Sequence, residues 1–141
     1  MSLLNKARHL LIGESAENDA CQYLIKHKLK LISKNYRCKL GEIDLIMLDK
    51  QTLVFVEVRY RKNSLYGSGA ESITIRKQQK IIKAASYYLQ QNSKTSQYAC
   101  RFDVISMSAP NSELNSDSES EPKPTSKNES KIDWIKDAFQ A

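Results

Sequence analysis

No apolar run in this 141-residue chain approaches the roughly 20 residues that a membrane-spanning helix requires. The leucines and isoleucine within residues 1 to 12 are broken up by Lys6, Arg8 and His9, so no hydrophobic segment of the kind that directs secretion forms. A cytoplasmic location is therefore expected. Cysteine is scarce: Cys21, Cys38 and Cys100 stand far apart, and with only His9 and His27 beside them no pair of short spacings suggests zinc. These cysteines read as buried or half-buried thiols in a reducing compartment. There is no internal repeat, and no motif that reads nucleic-acid bases is recognisable.

Positive charge is in excess, and it is unevenly placed. The chain carries 22 Lys and Arg against 16 Asp and Glu. Residues 1 to 108 hold 18 of the cations and 9 of the acids, whereas residues 109 to 141 hold 4 and 7. The positive field thus lies on the part with folding potential, as expected of a surface that binds phosphates. A role in solubility is the plainer reading of the same charge.

Two short runs rich in β-branched residues carry the most information. Residues 41 to 48 (Gly-Glu-Ile-Asp-Leu-Ile-Met-Leu) and 52 to 60, with Val-Phe-Val-Glu-Val-Arg at their centre, read as the strands of a hairpin. Each holds an acid where a covered strand favours apolar side chains. By alternation, Glu42 and Asp44 share one face of the first strand, and Leu53, Phe55, Glu57 and Arg59 share one face of the second. Asp44 and Glu57 are candidate ligands for a divalent cation. Arg59, two residues beyond Glu57, is a candidate phosphate partner. A cross-strand ion pair of Arg59 with Asp44 or Glu57 accounts for the same residues without any metal.

Around this hairpin the pattern alternates between helix and strand. Residues 14 to 28 suit a helix with a stripe of Ala16, Ala20, Tyr23 and Leu24. Glu17 lies on the flank of that stripe, where an acid needs a partner or a site, and so becomes a third candidate metal ligand. Residues 29 to 37 read as a strand ending near Arg37. Residues 61 to 69 form a loop with two glycines, Arg61, Lys62 and Tyr66, suited to lie against a nucleic-acid strand or simply to connect two elements. Residues 74 to 92 are strongly amphipathic: Ile81, Ile82, Ala85, Tyr88 and Leu89 form one face, and Arg76, Lys80, Lys83 and Tyr87 the other, with Lys77 at its margin. Such a basic face either tracks a phosphate backbone or is the solvated side of a packed helix. Residues 99 to 107 return to strand character. Residues 109 to 131 are too polar to offset their ordering entropy and read as a flexible insert, after which residues 132 to 141 offer a short amphipathic segment able to dock back on the sheet.

Taken together, Gly13, Glu17, Ala20, Tyr23 and Leu24, then Asn35 and Arg37, the run Gly41 to Ile46, Phe55 to Arg59, Lys80 and Ala85, and finally Arg101 to Val104 resemble the YraN-like family of predicted endonucleases. The resemblance covers residues 8 to 108 and implies an α/β fold of the restriction-endonuclease-like kind, in which helices flank a central mixed sheet in three layers. It places the chain near the PD-(D/E)xK nucleases and the Holliday junction resolvases. It implies Mg²⁺ or Mn²⁺ held by Asp44, Glu57, the backbone carbonyl of Val58 and Glu17. The implied partner is DNA, branched DNA included; a homodimer is left open. Arg37, Arg61, Lys62, Arg76, Lys77, Lys80 and Lys83 are the expected nucleic-acid contacts. Position 59 departs from the superfamily pattern, where lysine is usual. A guanidinium stays protonated and cannot act as a base, so a metal-dependent nuclease and a nuclease fold that binds without cutting both remain open.

Overall fold

The computed structural model of the protein describes residues 3–61, 73–95, 97–108 and 131–141. Helix α1 spans Leu3–Lys26, strands β1 to β3 span Lys30–Cys38, Gly41–Asp49 and Thr52–Arg61, and α2 spans Ile75–Gln91. After one turn of 3-10 helix at Ser93–Thr95 come β4, Ala99–Ser108, and β5, Lys131–Phe139. The sheet order is β1-β2-β3-β4-β5. Every neighbouring pair is antiparallel except β3 and β4, which are parallel and joined through α2. This mixed sheet with a helix on each face matches the expected α/β layout.

Local chemistry explains where the elements stop. At the end of α1, Leu29 N–H donates to Leu24 C=O and Lys28 N–H to Ile25 C=O, both at 3.0 Å, while Lys28 takes a φ of 71°. This is the Schellman pattern of a helix end, and it turns the chain so that buried Leu29 joins Leu24 in the core. Helix α2 begins at Thr74, whose Oγ accepts from Lys77 N–H at 3.1 Å. The hairpin tips are two residues each, 39–40 and 50–51.

The strand faces divide the core in two. Ala16, Ala20, Cys21 and Leu24 of α1 pack on Leu45, Met47, Val54, Val56, Ile105 and Met107. Ile81, Ala84, Ala85 and Tyr88 of α2 pack on Ile43, Ile46, Leu53, Phe55, Phe102 and Val104. Gly41 lets the second layer close, because a Cβ there would lie 2.9 Å from the carbonyl oxygen of Lys80. The start of β2 therefore touches the backbone of α2 directly.

Two expectations need correction. Helix α1 starts at Leu3 rather than near residue 14, so the helix extends N-terminal to the apolar stripe that the sequence shows. The alternation expected along β2 also fails at Asp44. Ile43 and Ile46 both belong to the α2 face while Leu45 faces α1, so one position between them is out of step. The predicted insert lies outside the described residues up to residue 130, as do Lys62 and Tyr66 and the side chain of Arg61. The final segment is a strand on the free edge of β4.

Candidate active site

The break in alternation creates the site. Pairing between β2 and β3 runs from Asp49↔Thr52 to Leu45↔Val56 and goes no further. Beyond it, the N–H of Val58 donates to Oδ2 of Asp44 at 2.9 Å, so a carboxylate replaces the backbone carbonyl as its partner. Asp44 is thereby held between the strands, close enough to Glu57 for the two to perturb each other's ionisation. The two candidate acids are neighbours.

Neighbouring carboxylates in a buried setting resist ionising together. Glu57 is 6% exposed, and burial, followed by the charge of Asp44, pushes its pKa up to about 7 against the lowering effect of Lys77. Burial raises Asp44 as well, opposed by the Val58 N–H, Glu57 and Lys77. Glu17 reaches the pair from α1. Its pKa is raised by burial first and by Asp44 second, while a hydrogen bond from Asn35 lowers it. Asn35 lies opposite Asp44 in the β1–β2 ladder and adopts a φ of 53°, a conformation asparagine tolerates better than most residues. Three elements thus bring Glu17, Asp44 and Glu57 near enough that Asp44 influences both of the others.

The ammonium paired with Glu57 is that of Lys77, from the first turn of α2. Arg59 lies one alternation beyond Glu57 on β3, half-buried, opposite Ser106 of β4. Above Glu57 opens a cleft of about 850 Å³ between the β1–β2 tip and α2, lined by Arg37, Lys39, Leu40 and Glu42 on one side and Arg76, Lys77 and Lys80 on the other. Five cations line the cleft that reaches this buried acid. Arg37 also pairs with Glu42 at 3.5 Å, both side chains being well exposed.

Of the expected nucleic-acid contacts, Arg37, Arg76, Lys77 and Lys80 line the cleft, and exposed Lys83 does not. From its place at the margin of the exposed basic face, Lys77 reaches Glu57. Sequence reasoning missed Lys39. Its signal was its place in the two residues between the end of β1 and Gly41, which puts it at a hairpin tip beside α2.

Oxygen donors dominate the pair, and this suits a hard cation such as Mg²⁺ or Mn²⁺. Among the described residues no three His, Cys, Asp or Glu side chains are grouped to hold a metal by themselves. Any metal here would rest on the two acids and a backbone carbonyl, leaving positions for water and phosphate, as is common for Mg²⁺.

Comparison with known proteins places the chain in a family. The model of the Uncharacterised protein family UPF0102 matches residues 16–107, about two thirds of the chain. The chain belongs to UPF0102, the YraN-like family. The matched span contains Glu17, Asp44, Glu57, Arg59 and Lys77. A UPF0102 protein of Nitrosococcus oceani is 42% identical over 137 residues, covering 97% of this chain and 98% of its own. One from Stutzerimonas stutzeri is 40% identical over 129 residues, with 92% and 94% covered. One from Pseudomonas fluorescens is 48% identical over 107 residues, with 76% and 89% covered. No helix among the described residues of this UPF0102 chain is long and apolar enough to cross a membrane.

Proposed function

We propose that this UPF0102 protein is a metal-dependent endonuclease that hydrolyses phosphodiester bonds in structured or branched DNA. The observation that carries the reading is the Asp44 and Glu57 pair, brought together where β2 leaves β3, at the base of a cleft lined by five cations. A protein keeps a buried acid beside a half-buried one at a cost in stability, and sites that carry this kind of strain are enriched in function.

In this reading Asp44, Glu57 and the Val58 carbonyl would hold Mg²⁺ or Mn²⁺, with the charge of Glu17 close enough to Asp44 to tune it. When bound, the metal activates water and neutralises charge on the scissile phosphate. Arg37, Lys39, Arg76 and Lys80 bind flanking phosphates without reading bases. Arg59 keeps its charge at every working pH, so its part is to clamp phosphate and stabilise developing charge.

The same arginine favours a second reading, a nuclease fold that binds DNA and does not cut it. Incubation with linear, flapped and four-way DNAs in Mg²⁺ or Mn²⁺ separates the two. The expected result is cleavage of the branched substrates, abolished by Asp44→Asn, reduced at least 100-fold by Arg59→Ala and retained by Arg59→Lys, with DNA binding weakened only modestly in each. Binding that falls steeply with salt but leaves every substrate intact under both metals would establish the second reading instead.

A further inference from the structure

Lys77 is the cleft cation in contact with an acid of the pair. Its backbone is fixed, because its N–H is bound to the Thr74 cap at the start of α2, while its side chain crosses the cleft to Glu57 and remains 53% exposed. The neighbouring cations Arg76 and Lys80 line the same wall. Glu57 faces the cleft and Asp44 does not line it, so a cation approaching the acids from solvent meets Glu57 with Lys77 already on it.

From this placement we infer that Lys77 is a positioning residue that occupies the cation position in the free protein and yields it only when a nucleic-acid phosphate draws its ammonium away, so that divalent metal and DNA load together. The inference rests on the metal reading above. Its physical basis is exclusion. One buried carboxylate oxygen cannot hold an ammonium and a divalent ion at contact distance, since the two cations repel strongly in a partly desolvated cleft. A phosphate entering between Arg76 and Lys80 offers Lys77 a new partner and adds oxygen ligands for the metal at the same moment. The two ligands then strengthen each other, and by linkage the factor is the same in both directions. In the free protein the Lys77 ammonium stays seated on Glu57, and metal is held weakly.

Mn²⁺ affinity, measured by electron paramagnetic resonance with and without a phosphorothioate oligonucleotide that resists cleavage, tests this. In the wild type the oligonucleotide should tighten Mn²⁺ binding about 10-fold. Lys77→Met should bind Mn²⁺ about 10-fold more tightly without DNA and show less than about a 2-fold further gain with it. Lys77→Arg should restore the coupling. Lys80→Met, which removes a neighbouring charge that does not touch Glu57, should weaken oligonucleotide binding yet keep the coupling. Unchanged coupling in Lys77→Met, or equal loss in Lys80→Met, would overturn the inference while leaving the metal site standing. Absence of any Mn²⁺ site sensitive to Asp44→Asn would overturn the metal reading and this inference with it.

Discussion

In metal-free buffer at pH 8, Glu57→Gln melts roughly 10 °C higher than the wild-type chain. The cause is the pKa of Glu57, raised from the ordinary 4.5 to about 7 by burial and by Asp44. The folded protein holds a proton there that the unfolded chain releases, so the contribution of this group to stability is greatest below pH 4.5 and is lost as pH rises toward 7. Above that window the loss amounts to about 3 kcal/mol. Glutamine keeps the shape, can donate to Asp44 and accept from Lys77, and never ionises. Thermal melts of both chains from pH 5 to pH 8 should therefore converge at the acid end and diverge at the alkaline end. Saturating Mn²⁺ should reverse the order, because it stabilises only the chain whose two acids can both ionise. Equal melting temperatures at pH 8 would mean that Glu57 bears no such burden.

Asp103→Ala has the opposite sign and a larger effect, a loss of about 3–5 kcal/mol. Asp103 is fully buried and its carboxylate is fully engaged. Arg101 Nε donates to both of its oxygens at 3.0 and 3.1 Å, Trp134 Nε1 donates at 2.9 Å, and Asp137 N–H donates at 2.9 Å. Two of these donors belong to β5, at the irregularity where its register with β4 shifts between Phe102 and Val104 and where Asp137 takes a φ of 52°. One side chain therefore ties the last strand to the sheet. Truncation leaves a guanidinium, an indole N–H and a backbone N–H without their acceptor, although Asp49 still pairs with Arg101 at 3.0 Å. Chemical denaturation should show the loss, and Asp103→Asn, which keeps one acceptor oxygen, should lose less. Stability within 1 kcal/mol of wild type for Asp103→Ala would contradict this account of how β5 is held.

The elements were legible because their periods are clean. Strands β2 and β3 showed their acids within β-branched runs, and α2 showed its apolar face at helical spacing. Two contributions to the site were hidden. Asp44 reaches both Glu17 and Glu57 only because β2 slips at that position, and alternation counted from either end of the strand assigns it to one face. Lys77 meets Glu57 through the tertiary approach of α2, which Gly41 permits by its lack of a side chain. A helical wheel can place Lys77 at the edge of a face, but it cannot say what lies across from that edge. The binding role of Asp103 was likewise invisible, since its partners Trp134 and Asp137 are more than 30 positions away in sequence and meet it only after β5 pairs with β4. Even so, Asp44 and Glu57 were identifiable as a pair from spacing and from acids placed where covered strands avoid them.

The central claim is that Asp44 and Glu57 together make a divalent-metal site, and anomalous scattering from crystals grown with Mn²⁺ and a bound oligonucleotide tests it most directly. The account predicts one manganese peak per chain, bonded to a carboxylate oxygen of Asp44, a carboxylate oxygen of Glu57 and the carbonyl of Val58, with the Lys77 ammonium moved off Glu57. A map with no peak between the two acids, or with Lys77 still seated on Glu57 beside a metal bound elsewhere, would contradict it.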